Sequence, residues 1–150
     1  MKLGLMLHDP EEEHDCFSDN THNSHYYDQV GMMNIYDGRY TRLDGTKVAG
    51  ASLADYVAAK APAEGKRLAA DMDATLAALK AIKDTADSGK MAYDQMIGPN
   101  NPAGNKLVDN GVQALVRQAR SVQAVVAALG LTIKLEGSDS LDNPSAVKTE

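Results

Sequence analysis

The stretch KLVDNGVQALVRQARSVQAVVAAL, Lys106 to Leu129, decides the fold class of this chain. Its apolar residues recur at alternating steps of four and three, which brings their side chains to one face of an α-helix. A stripe of this kind packs against similar helices at a shallow angle. Gly130 is well placed to end the helix. The stripe consists of Val108, Val112, Leu115, Ala119, Val122, Val126 and Leu129.

A second stripe predicts a long amphipathic helix that has Pro62 in its first turn. Charged residues occupy its other face, and the sequence DSGK ends it. The apolar members are Leu68, Met72, Leu76, Leu79, Ile82 or Lys83, and Ala86.

Shorter elements come before and between these two helices. A helix through HYYDQVGMMNIYDGRY should begin at one of the four possible caps at positions 18–21 and end at Gly38. A loop or short hairpin follows, punctuated by Gly45 and Gly50. Ser52 offers a cap for LADYVAAKA, and MAYDQMI is expected to be a short helix.

These patterns predict an all-α fold, an antiparallel helical bundle within one domain of residues 1–150. The composition agrees, since apolar residues make up 43% of the chain and Trp is absent. Residues 1–7, MKLGLML, are expected to be the end of a truncated helix, and residues 138–150 a loose tail. A missing helix would leave an apolar face open, so self-association through that face is expected.

Charge and hydropathy exclude some partners. The formal net charge of -6 disfavours nucleic acid, because an acidic chain repels phosphate. No apolar run is long enough for a transmembrane segment. The single cysteine, Cys16, excludes an internal disulfide. No signal peptide is visible, but this does not prove a cytoplasmic location.

All four histidines and the cysteine lie in HDPEEEHDCFSDNTHNSHYYD, from His8 to Asp28. Imidazole and carboxylate ligands together suit iron, zinc or manganese. His22 and His25 are three residues apart and would share a helix face, as would Glu11 and His14 if their segment is helical. The alternative is that these side chains cap the helix, complement its dipole or are solvated.

Two residues of this stretch suggest buried positions. His22 is in phase with Tyr26, Val30 and Met33, so its side chain should point toward the core, as a ligand or as a hydrogen-bonded core histidine. Cys16 is surrounded by carboxylates, which disfavour a thiolate nucleophile. Because Phe17 stands beside it, we expect Cys16 to be a small buried residue.

The sequence lacks the zinc-peptidase helix pattern His-Glu-x-x-His. HDPE does contain His8-x-x-Glu11, but Pro10 lies inside it and a regular helix holds both ends comfortably only if it begins there.

The segments HDPEEEHDCFSDNTH, GMMNIYDGRY and VAGASLADYV resemble the carboxy-terminal half of imelysin-like proteins, also called iron-regulated protein A or the imelysin peptidase family. The resemblance implies a helical bundle that is normally the second of two domains in an exported bacterial protein, periplasmic or at the cell surface. It also implies a link to iron or haem uptake. The family's Gly-x-His-x-x-Glu motif belongs to the amino-terminal half, and here Met6 stands where its Gly would be.

The resemblance carries over the segment EEEHDCFSDNTH and gives three hypotheses. The first is a binding module whose metal ligands, for iron or another divalent ion, are Glu13, His14, Asp19 and His22. The second is a metallopeptidase half-site, with His14 and His22 as ligands and Glu13 as base. The third is a purely structural loop that closes the bundle and docks the missing amino-terminal domain. In the first hypothesis the pocket also includes Glu11, Cys16, Ser18, Asn20 and Thr21.

Overall fold

Local signals fix the ends of the helices where the sequence predicts them. Ser52 accepts a hydrogen bond from the backbone N–H of Asp55 at 2.9 Å, so it is the N-cap that LADYVAAKA requires. Pro62 opens the following helix. Gly38 ends the first helix with φ of 61°, and a Cβ there would lie 2.7 Å from the carbonyl oxygen of Ala51.

A computed structural model describes residues 9–132, apart from the side chain of Glu12. The expectations for residues 1–7 and 138–150 lie outside the described residues. A 3-10 turn at Pro10–Glu12 leads to five helices: α1 (Thr21–Asp37), α2 (Leu53–Lys60), α3 (Pro62–Asp87), α4 (Tyr93–Ile97) and α5 (Pro102–Ala128). Between α1 and α2 the strands β1 (Arg39–Thr41) and β2 (Lys47–Ala49) form an antiparallel hairpin, with Tyr40 opposite Val48. In this range no helix is both long and apolar enough to cross a membrane.

The long helices pack as an antiparallel bundle, which confirms the predicted mainly helical fold. One apolar cluster joins the end of α3, through Leu79 and Ile82, to α4 and to the start of α5 at Val108. A second cluster joins the start of α3, through Leu68, to α2 and to the end of α5 at Val125.

A polar layer lies within the bundle core, on residues of α1, α3 and α5. The side chains of Gln29 and Gln118 exchange two hydrogen bonds, and Gln29 also donates to the carbonyl oxygen of Met72 at 3.2 Å. The Ser121 hydroxyl donates to the carboxylate of Asp71. Because these buried groups are satisfied only in one alignment, the layer specifies how the three helices pair.

This layer explains why two predicted core faces are shifted. In α1 the buried residues are Thr21, His25 and Gln29, whereas His22, Tyr26, Val30 and Met33 are only partly buried. In α5 the buried stripe continues through Gln118 and Ser121, while Val122 is exposed. Apolar periodicity misplaces both faces because polar side chains take the buried positions, and Gln29, Gln118 and Ser121 among them are hydrogen-bonded within the core.

Candidate functional site

The chain before α1 folds into a turn that directs one carboxylate inward. The backbone N–H of Asp15 donates to the Thr21 hydroxyl at 3.0 Å, and the hydroxyl of Ser24 donates to the Asp15 carboxylate. Asp19 has a positive φ of 48°, which aspartate tolerates better than most residues. As a result Glu13 is buried, with 7% of its surface exposed.

Four buried polar residues meet where this turn, α1 and α4 come together. We call them the polar corner: Glu13, Thr21, His25 and Tyr93. His25 is 1% exposed and Tyr93 is fully buried. The His25 ring lies edge-on to the Tyr93 ring, with centroids 5.6 Å apart. His14, itself exposed, lies 5.2 Å from His25 by the same measure, on the outer side of the corner.

Within residues 9–132, four buried side-chain atoms have no hydrogen-bond partner. Three belong to the polar corner, and the fourth, His22 Nδ1, lies in the first turn of α1. Buried polar atoms are nearly always satisfied, so a concentration of exceptions at one place indicates a site for water, an ion or a ligand. The three atoms of the polar corner are Glu13 Oε2, His25 Nε2 and the Tyr93 hydroxyl oxygen.

Burial also governs protonation in the polar corner. Desolvation, followed by the nearby His14, lowers the pKa of His25 to about 4, so the imidazole is neutral at pH 7. Desolvation raises the pKa of Glu13, against the effect of a hydrogen bond from Thr21, and the charge of Asp19 raises it further. The pKa of Tyr93 is raised by burial and then by the charge of Glu13. The corner therefore disfavours negative charge unless a cation is added.

His22 has different partners from the polar corner. Its Nε2 lies 3.2 Å from the Asp87 carboxylate at the end of α3 and 3.1 Å from the Asn23 side-chain nitrogen. Asp87 also pairs with Lys83. The His22 side chain is 11% exposed and pairs with the end of α3, beside the buried face formed by Thr21, His25 and Gln29. Its Nδ1 has no hydrogen-bond partner among the described residues.

The other residues singled out from the sequence are mostly at the surface. Ser18 donates to the carbonyl oxygen of Asp15, and Asn20 accepts from the Asn23 side chain. The prediction that Cys16 is buried beside Phe17 is wrong, because both are exposed on the turn. These two side chains lie on the solvent side because the turn carries Glu13 inward. Also exposed are Glu11, His14 and Asp19.

The sequence did not single out His25 or Tyr93 as site residues. The spacing from Thr21 to His25 places both on one helix face, and this was the available signal for His25. Tyr93 lies far along the chain, and only the packing of α4 brings it to the corner.

The donor set suits a borderline divalent metal, since it offers a neutral imidazole and a carboxylate with a free oxygen. It does not close a site: between residues 9 and 132, no group of three His, Cys, Asp or Glu side chains is arranged to hold a metal ion. A metal bound here would need ligands from elsewhere.

The model of the family described as Imelysin matches residues 1–122. No curated protein matches the chain.

Proposed function

Because the chain belongs to the imelysin family, we propose that it is a metal-binding module in which the polar corner contributes half of a site. Further ligands come from the amino-terminal imelysin domain, which docks against this end of the bundle. The supporting observation is the set of free buried atoms: Glu13 Oε2, His25 Nε2 and the Tyr93 hydroxyl.

Glu13 and His25 are the first two ligands in this proposal. Metal ligands must be deprotonated, and the lowered pKa of His25 keeps its lone pair available at neutral pH. A cation would also supply the positive charge that the desolvated Glu13 carboxylate lacks. Tyr93 is placed to hydrogen-bond to a ligand of the metal rather than to bind it directly.

The ligands predicted from the sequence have different roles in this proposal. His14 is adjacent to His25 and is the third candidate ligand. Asp19 lies close enough to raise the pKa of Glu13 and contributes negative charge at the mouth of the site. His22 offers Nδ1 while Asp87 holds its Nε2, the arrangement in which a carboxylate orients a ligating imidazole.

Iron is the metal we favour, and iron or haem uptake is the process. Mixed nitrogen and oxygen ligation suits iron, although it suits zinc and manganese as well. The resemblance of EEEHDCFSDNTH to iron-regulated imelysin-like proteins supports this choice. The same resemblance supports an exported protein that works in the periplasm or at the cell surface.

Calorimetric titration with ferrous ions under anaerobic conditions, and with ferric and zinc ions, tests the proposal. The chain is titrated alone and together with an amino-terminal imelysin domain. We expect Glu13→Gln and His25→Leu each to weaken binding at least tenfold. Asp84→Asn, which removes a carboxylate from the surface pair with Lys80, is the matched control and should leave affinity unchanged.

Binding weaker than millimolar with both halves present would remove the metal proposal. Unchanged affinity in both Glu13→Gln and His25→Leu would move the site away from the polar corner. The metallopeptidase alternative requires metal-dependent cleavage of unfolded substrates that Glu13→Ala abolishes. Binding without cleavage favours the module.

A further inference from the structure

The outer face of α1 carries large exposed apolar side chains, although Met33 and Tyr36 of the same helix pack against the core. Tyr27 is 59% exposed and Ile35 is 73% exposed, and Met32 lies beside them. The inner face buries Thr21, His25 and Gln29 instead. A helix that packs polar residues inside and shows large apolar ones outside is suited to a partner on its outer side.

Gly31 lies at the centre of this outer face, four residues from both Tyr27 and Ile35. Nothing in the described fold requires glycine there, since a Cβ would meet no atom within 4 Å and φ is not positive. Glycine in a helix interior is destabilising relative to alanine. A small residue flanked by large apolar ones lets the backbone of a second helix approach closely.

The hairpin extends the same surface. A groove of about 530 Å³ lies between α1 and the hairpin, and Gly31, Ile35, Tyr40 and Val48 are among the residues that line it. The lining is mainly apolar, and Gly38 and Gly50 are also part of it.

We propose that the partner is a second copy of this chain, with the two α1 helices crossing antiparallel at Gly31. In a two-fold pair each face meets the same face of the other copy. Tyr27 of each copy then lies near Ile35 of the other copy. This inference does not depend on metal binding at the polar corner.

Charge along α1 supports this occupant. Asp15 and Asp19 precede the helix at its amino-terminal end, and Asp28 is exposed near its middle. The hairpin at the other end carries Arg42 and Lys47, neither of which has an ion-pair partner among residues 9–132. Its one carboxylate, Asp44, accepts a hydrogen bond from the Thr46 backbone, and Arg39 pairs with Asp37, so the hairpin remains basic. An antiparallel pair places the acidic end of each copy toward the basic hairpin of the other, and a parallel pair places like charges together.

Sedimentation velocity of the 150-residue chain over a hundredfold range of concentration tests the proposal, with chelator present so that metal plays no part. We expect a reversible monomer–dimer equilibrium that weakens as salt increases. Gly31→Leu should weaken dimerisation at least tenfold while the Tm of the monomer stays the same or rises by about 2–4 °C. Arg42→Glu with Lys47→Glu should also weaken it.

The matched control is Ala74→Leu on the exposed surface of α3. It adds the same side chain elsewhere and should leave the dimer intact. A wild-type chain that is monomeric at all concentrations would overturn the proposal and assign the face to another partner. A Gly31→Leu protein that dimerises as the wild type does would overturn the crossing at Gly31.

Discussion

The imidazole of His25 lies edge-on to the buried ring of Tyr93, and neither His25 Nε2 nor the Tyr93 hydroxyl has a hydrogen-bond partner in the described structure. With Glu13 Oε2, these two atoms make three buried polar atoms without a hydrogen-bond partner in the polar corner. Leaving such atoms unsatisfied costs stability, on the order of 1–3 kcal/mol each. Three such atoms at one place support the proposal that the polar corner binds a ligand.

The first expectation concerns pH. The pKa of His25 is about 4 in the folded protein against 6.5 for the free side chain. Between these values the unfolded state binds more protons, so this contribution to stability is complete above pH 6.5 and is lost as the pH falls toward 4. From pH 7 to pH 5 the loss is about 2 kcal/mol.

Urea denaturation of wild type and His25→Leu, in chelator at both pH values, measures this loss. The raised pKa of Glu13 acts in the opposite sense, stabilising the fold below its ordinary pKa of 4.5, and it is common to both proteins. We therefore expect the wild type to lose about 2 kcal/mol more than His25→Leu. An equal loss in the two proteins would contradict the assigned pKa of His25.

His14 should control the pKa of His25 without being buried itself. It is the second cause of the lowered value and covers the outer side of the ring. His14→Ala removes the electrostatic effect of the His14 ring and lets water reach the His25 ring. Both changes raise the pKa of His25 toward 6.5. Histidine NMR titration of the metal-free protein reads this directly. Replacement of His22 by Ala serves as the control, because His22 pairs with Asp87 and is not among the groups that shift the pKa of His25, so the His25 titration should stay in place.

The amide pair in the polar layer should behave as one unit. Gln29 and Gln118 are joined by hydrogen bonds of 2.9 and 3.1 Å in the core. Gln118→Leu strands the Gln29 amide and should lower the free energy of unfolding by about 1–3 kcal/mol. The double change to Leu should recover much of that loss, because both polar groups are then removed. A double variant that loses as much as the sum of the single changes would argue against a coupled pair.

Gly104 should be the most sensitive glycine of α5. A Cβ at Gly104 would lie 2.5 Å from the Met96 Cα and 2.8 Å from its carbonyl oxygen, so the backbone of α4 would have to move. Gly104→Ala should lower the free energy of unfolding by about 1–3 kcal/mol. Gly111→Ala in the same helix meets only the ends of the Ile82 and Leu79 side chains, at 3.3 and 3.4 Å, and should be near neutral. Chemical denaturation of the two variants compares them.

Helix positions could be predicted because their signals are local. Ser52, Pro62 and Gly38 each act on their own backbone, and the structure places helix ends at all three. The inner faces of α1 and α5 could not be predicted in the same way. Gln29 and Gln118 are buried because each satisfies the other across 89 residues of sequence, and no apolar pattern encodes such a pair.

The candidate site was predictable only in part, for a similar reason. Its location in the titratable stretch follows from the concentration of histidines and acids, and of the ligands proposed from the sequence Glu13 is the one that the structure buries, with 7% of its surface exposed. The sequence favoured His22 over His25 as a core residue, because His22 has the helical spacing of the apolar residues Tyr26, Val30 and Met33. Tyr93 requires knowledge of where α4 packs, which depends on Ile97, Val108 and the rest of that apolar cluster.

The central claim is that the polar corner binds a metal ion through Glu13 and His25, and NMR of the histidine ring nitrogens tests it most directly. Zinc is added to the protein labelled with ¹⁵N at histidine, with the amino-terminal imelysin domain present. We expect the Nε2 signal of His25 to shift by far more than the His22 Nε2 signal, which stays with Asp87, and we expect Glu13→Gln to suppress that shift. An unchanged His25 Nε2 signal at saturating zinc would contradict the account.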